Sequence, residues 1–156
     1  SCNGTMDFSL RGINVMLSVE WNFEAPQGGG DTHYSVIRGS LASVTIEQGA
    51  AQGYRPELYV SAAPGIDPEA VGQTLKNTVS RLTGGAYPGL ELKQEGERWH
   101  VIIPDSYRIG HEAHFGQVAA NFLSYLNNKS LPSWERPNML AKYYVTTSAL
   151  ELARAK

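Results

Sequence analysis

The sequence predicts an α+β domain built on a largely antiparallel, open-faced sheet with helices packed on one face. Three observations predict it. Apolar and polar residues alternate along much of residues 5–62, the period of half-buried strands. Helical periodicity then takes over in residues 67–83 and returns after His111. Between these helical stretches, two further alternating runs meet at Glu95-Gly96-Glu97. Strands first, then helix, hairpin and two more helices argue against a regular βαβ alternation. At 156 residues with 42% hydrophobic content, residues 1–156 suit a single domain with its own core.

Residues 5–11 read as a short strand, broken by Gly12. The longest alternation follows over residues 13–23. Ile13, Val15, Leu17, Val19, Trp21 and Phe23 form the apolar face, set against Asn14, Ser18, Glu20, Asn22 and Glu24, with Met16 the exception. Such a strand needs sheet neighbours, and the hairpin after Gly28-Gly29-Gly30 is the expected first one. That hairpin joins residues 31–37 and 41–48 across Gly39-Ser40, where glycine at the first loop position suits a II′ turn. Ala42, Val44 and Ile46 mark its buried side. Gly49 and Gly53 bracket a loop, and Pro56 opens a strand over 57–62 with Leu58 and Val60 inward.

Asp67-Pro68-Glu69 supplies an N-cap, a proline at the first helical position and an acidic first turn. Val71, Leu75, Val79 and Leu82 recur at helical spacing, Lys76 and Arg81 take the wet side, and Gly84-Gly85 stops the helix. Residues 90–94 and 98–103 form the second hairpin. After His111, the stripe Phe115, Val118, Ala119, Phe122 and Leu126 defines a helix ending near Asn127-Asn128. A last helix has Pro137 near its first turn and Leu140, Tyr143 or Tyr144, Thr147 and Leu150 as its expected buried face. The remaining sheet face, with Asn14, Met16, Ser18, Ser43 and Thr45, is too polar for a core and only weakly charged. It is either solvated or paired sheet-to-sheet in an oligomer.

A net charge of −2 gives no electrostatic footprint for nucleic acid. No apolar run approaches the roughly 20 residues that span a bilayer. The lone Cys2 excludes an internal disulfide, fits a reducing compartment and has no neighbouring histidine to activate it. No leader is visible at Ser1, which leaves cytoplasm and periplasm both open. No Gly-x-Ser-x-Gly elbow occurs. Gly28-Gly29-Gly30 lies between strands, where it cannot aim a helix N-terminus at a phosphate.

The densest run of reactive side chains is Asp31-Thr32-His33-Tyr34. Asp31 and His33, two apart, share a face of an extended chain. A carboxylate beside an imidazole holds a tautomer or orients a sugar hydroxyl. The plainer reading has Asp31 capping the turn and His33 pairing across the hairpin. His111 and His114, three apart at a helix start, could in principle join Asp31 and His33 in a metal site, but without a pinned third ligand the signal is weak, and solvated histidines or partners for Glu112 are the plainer reading. Arg38 beside Gly39 can clamp an anion or simply guard a hairpin edge. Trp21 and Trp99 fall on apolar strand faces and read as core, whereas Trp134, in a loop, is free to stack on a sugar.

The run Trp21-Asn22-Phe23-Glu24-Ala25-Pro26, the stretch from Gly28 to His33, and Arg38-Gly39 carry a resemblance. So do His111-Glu112-Ala113-His114-Phe115, Leu131-Pro132-Ser133-Trp134-Glu135 and Ala141-Lys142-Tyr143-Tyr144. Together they are similar to the C-terminal substrate domain of the glucose-fructose oxidoreductase/inositol dehydrogenase (Gfo/Idh/MocA) family, closest to a bacterial branch with its own C-terminal domain type. The resemblance implies NAD or NADP bound by an N-terminal Rossmann domain in cis. It implies a sugar or polyol substrate, and a lysine supplied by a Glu-Lys-Pro motif that this chain lacks. The domain itself would wall the substrate cleft, associate through its open sheet face into a homo-oligomer, and be inactive alone. A start without Met, with an Asn3-Gly4 turn directly before a strand, agrees with a piece of a longer protein.

Asp31, His33, Arg38 and Trp134 are the substrate-binding candidates. The family's catalytic aspartate and histidine lie upstream in its C-terminal domain and do not match Asp31 and His33, so no catalytic role passes to these two. Neither a metal nor a cofactor-binding residue is expected in this chain. The rival readings are a stand-alone carbohydrate-binding or dimerisation module, and a metal-dependent hydrolase using Asp31, His33, His111 and His114.

Overall fold

A computed structural model describes residues 3–21 and 23–155, which fall into two compact units. The first unit spans residues 25–109 and holds a five-stranded, wholly antiparallel sheet. Its strands are β3 (His33–Arg38), β4 (Ala42–Gln48), β5 (Glu57–Ala62), β6 (Glu91–Glu95) and β7 (Arg98–Ile102), in the spatial order β3-β4-β5-β7-β6. A 3-10 turn, Ala50–Gln52, links β4 to β5 between the two expected glycines. Helix α1 (Pro68–Thr83) begins as its sequence dictates: the Asp67 carboxylate accepts a hydrogen bond from the Glu69 N–H at 3.0 Å, with Pro68 at the first position.

Strand period and helix period meet in one core. Val60 lies opposite Trp99 and Leu58 opposite Val101, all on the side facing α1. Val60, Trp99, Val101 and Val79 are buried, and Trp99 is only 3% exposed. Trp99 lies so close to α1 that a Cβ on Gly72 would come within 2.7 Å of its ring. A bare backbone at position 72 is what lets the helix approach.

The β3–β4 turn differs from expectation. Arg38 pairs with Ser43, and the Gly39 N–H donates to the Ala42 carbonyl at 2.9 Å, so the tip is Ser40-Leu41 and not Gly39-Ser40. Gly39 keeps an ordinary backbone angle, and no II′ turn forms. The Leu41 carbonyl is drawn into the sheet by the Ala63 N–H at 2.9 Å, and this fixes the shift.

The second unit takes residues 1–24 and 110–156. It contains a two-stranded sheet of β1 (Gly4–Leu10) and β2 (Ile13–Val19), with α2 (Gly110–Asn128) and α3 (Glu135–Arg154). Arg11 and Gly12, both at positive φ, make the tight β1–β2 turn. Two expectations fail here. Among the described residues β2 pairs with β1, not with the β3–β4 hairpin. The strand also stops at Val19, because Asn3 Oδ1 takes the Trp21 N–H at 2.6 Å where the ladder would have continued. Trp21 is therefore exposed and no part of a core, and Phe23 is exposed too; Asn22 lies outside the described residues.

The helices form where the periodicity put them, but their apolar stripes are bare. Phe115, Val118, Phe122 and Leu126 on α2 are all exposed, as are Leu140, Tyr143, Tyr144 and Leu150 on α3. After Glu135 at its start, the more sheltered α3 positions are Ala141, Val145, Ser148 and Ala149. Mostly small residues mark that sheltered side, while the larger apolar ones face outward.

A paired-charge face and a polar recess

The face of the five-stranded sheet turned away from α1 departs most from the sequence reading. Expected to be weakly charged, it carries Glu47, Glu57, Arg98, His100, Lys93 and Glu95. Alternation places them together: Tyr59 lies opposite His100, His100 opposite Lys93, and Glu95 opposite Arg98. Glu47 and Glu57 are direct cross-strand neighbours, a pairing that like charges normally disfavour. Each is answered by its own partners. Arg98 Nη1 donates to Glu47 at 2.9 Å, while Glu57 takes Arg108 Nη2 at 2.9 Å and lies 3.0 Å from His100 Nε2.

At the centre sits Tyr59, 6% exposed although it faces away from the core. The network itself buries it. His100 stacks on its ring at 4.7 Å, and the Arg98 guanidinium lies 3.8 Å above the ring centroid. Arg108 follows the short 3-10 turn Asp105–Tyr107 and ties the edge of the face to the backbone by donating to the Pro56 carbonyl at 2.7 Å. Its Nε is buried without a hydrogen-bond partner, since Asp105 stands 3.7 Å away. Asp105 is paired instead with Arg55.

The Glu95 carboxyl is held below the usual carboxylate range, chiefly by the hydrogen bond from Lys93, with the charges of Lys93 and His100 adding to it and desolvation opposing. A lowered folded-state value contributes stability at neutral pH that is lost as pH falls through it. Replacing Lys93 with alanine is expected to move the Glu95 titration upward in an NMR pH series. An unmoved Glu95 would assign the effect elsewhere.

Asp31 precedes β3, and its carbonyl accepts from Gln48 Nε2 at 3.0 Å. His33 opens β3 and lines an open recess of about 390 Å³ with Thr32, Tyr34, Glu47, Gln48, Gly49 and Gln52. Gln52 Nε2 reaches Glu47 at 3.1 Å, so this recess adjoins the charged face. Arg38 stands at the far end of β3 and, five residues on, on the opposite face from His33. The structure thus gathers the Asp31–His33 segment with Glu47 and Gln48, and leaves Arg38 apart. Trp134, exposed, directly precedes α3 in the other unit. His111 and His114 are exposed near the start of α2. Among the described residues no three His, Cys, Asp or Glu side chains converge on a point that would hold a metal ion.

The starts of α1 and α2 do not fit a dinucleotide. The α1 N-terminus is occupied by the Asp67 carboxylate, which would repel a phosphate, and α2 is entered from a 3-10 turn and Gly110 rather than from a strand. No helix is long and apolar enough to cross a membrane among the described residues.

Over residues 1–154 the sequence matches the family model described as "Putative oxidoreductase C terminal domain". The chain belongs to that family. This oxidoreductase C-terminal domain is also similar to a solved structure from Parabacteroides merdae, described as a "putative oxidoreductase", at 50% identity and a TM-score of 0.93. The similarity covers 99% of this domain but 35% of that chain, so the domain spans about a third of its solved relative. No curated protein matches it.

Sequence reasoning does not single out the paired polar cluster of this oxidoreductase C-terminal domain: Glu47, Glu57, Arg98, His100 and Arg108. A signal was there. Glu47, Glu57, Arg98 and His100 occupy outward positions of strands whose inward positions are apolar, and a charge on each of three adjacent strands is a pairing pattern. Without the strand order, however, nothing said which charges would meet.

Proposed function

We propose that this is the substrate and assembly domain of a nicotinamide-dependent oxidoreductase acting on a sugar or polyol, of the Gfo/Idh/MocA kind. An N-terminal Rossmann domain in cis binds NAD or NADP and supplies the proton-transfer lysine. The observation that carries the reading is the ordered face around Tyr59. Charges paired across three strands around a buried tyrosine, with only the Arg108 Nε left unpartnered, suit a surface that meets another protein surface. The bare stripes of α2 and α3 support a larger protein around this domain.

The recess at His33 supports the substrate class. An imidazole, a carboxylate and two carboxamides offer both donors and acceptors, as a polyhydroxylated ligand requires. Asp31, His33, Arg38 and Trp134 remain the substrate-contact candidates, with His33 nearest to a formed site.

The test is nicotinamide absorbance from the full-length protein with a panel of sugars and polyols. Turnover by the full-length protein and none by residues 1–156 alone is expected. Sugar binding without turnover would favour a carbohydrate-binding module, and neither binding nor turnover would end the reading. In an active enzyme His33→Ala should raise KM about 2- to 12-fold with little change in kcat, the loss of one hydrogen bond worth roughly 0.5–1.5 kcal/mol. An unchanged KM would remove His33 from the site.

A further inference from the structure

The two edges of the five-stranded sheet are unlike. The β6 edge reads Glu-Leu-Lys-Gln-Glu, with Glu91, Lys93 and Glu95 guarding it against strand addition. The β3 edge reads His-Tyr-Ser-Val-Ile-Arg, with no lysine, carboxylate or proline, its arginine only at the last position, and with Tyr34 and Ile37 exposed. Among the described residues no strand covers it.

Its free hydrogen-bonding groups can be assigned. The Gly39 N–H bonds Ala42 across the hairpin, so by the alternation of an antiparallel ladder Ile37, Ser35 and His33 also bond inward to β4. Tyr34, Val36 and Arg38 therefore turn their N–H and C=O groups outward. These three positions are symmetric about Val36. A two-fold axis perpendicular to the sheet through Val36 would pair Val36 with Val36, and Tyr34 with Arg38, on a second copy. Every outward group on the three residues then finds a partner. The same register sets each Arg38 guanidinium against a Tyr34 ring, on the sheet face they share.

We infer that β3 is a homodimer edge, pairing antiparallel with β3 of a second copy about Val36 to make one continuous ten-stranded sheet. This interface differs from face-to-face association and does not rest on the oxidoreductase reading. What favours a second copy over an unrelated strand is the side-chain match, Tyr34 against Arg38 on both sides of the same two-fold axis.

Two substitutions in the full-length protein test it. In a hydrogen-bonded antiparallel pair the two Val36 Cα atoms would stand about 5.5 Å apart, within disulfide range. Val36→Cys is therefore expected to form a disulfide-linked dimer under mild oxidation, well above the background of the unsubstituted protein. Lys93→Cys, on the guarded edge, is expected not to. Val36→Pro removes an outward N–H that makes no bond inside the subunit, and is expected to halve the molar mass seen by light scattering at micromolar concentration. An unlinked Val36→Cys protein, equal linking at Lys93→Cys, or an unchanged mass for folded Val36→Pro would each overturn the inference. Should Val36→Pro fail to fold, the cysteine pair decides alone.

Discussion

Trp99→Ala is expected to destabilise the protein by about 3–5 kcal/mol, the largest effect of any single truncation in the five-stranded unit. The ring is 3% exposed, lies opposite Val60 on β5 and rests on the bare backbone of Gly72. Truncation leaves a cavity between sheet and helix that neither rigid element can collapse to fill. Against a typical domain stability of about 5–15 kcal/mol, the loss is a large part of the whole. The reciprocal change sharpens the test. In the parent protein Gly72→Ala forces a methyl to within 2.7 Å of the ring and should cost about 1–3 kcal/mol. In the Trp99→Ala background the same methyl enters vacated space, so its cost should shrink or change sign. Urea unfolding of the four proteins measures this coupling, and strictly additive losses would show that the notch and the ring do not act together.

Glu57→Ala is expected to cost about 2–3 kcal/mol, which sets it apart from ordinary surface ion pairs. Its carboxylate holds two partners at once, His100 and Arg108, and both side chains are less than a quarter exposed. Removing it strands a guanidinium whose Nε already lacks a partner. Salt gives the discriminating measurement. The Arg55–Asp105 pair is exposed, and Asp105→Ala should cost little and nothing measurable in high salt, whereas the Glu57→Ala loss should persist. A Glu57→Ala cost below about 0.5 kcal/mol would reduce the network to surface decoration.

Most local structure could be read because its causes are local. Strand β5 runs from Glu57 to Ala62 as Pro56 and the Pro64-Gly65 pair predict, and α1 starts at its Asp67-Pro68 cap. The α+β class followed from the order of periods. What failed was anything set by partners distant in sequence. Alternation in β2 gave its faces but not its neighbour, and Asn3, not the pattern, ended it before Trp21. Periodicity located the stripes of α2 and α3 without saying whether anything in the chain covers them. The site was harder still. Glu57 and His100 each look like an unremarkable wet position, and they become a network only when β7 inserts beside β5. His33 and Arg38 sit close in sequence but on opposite faces, a separation that strand parity already contained.

The strand order has a kinetic consequence. Within the five-stranded sheet every neighbouring pair is consecutive in the chain except β5 and β7, between which α1 and β6 intervene. The meander β3-β4-β5 and the hairpin β6-β7 can each form from short-range encounters, leaving one long loop to be closed before they join. Joining them also unites Val60 with Trp99 and Glu57 with His100, so the core and the charged face are completed in a single event. Substitutions along that seam should slow folding more than they speed unfolding, and native-state amide exchange should show the seam opening only with the whole unit.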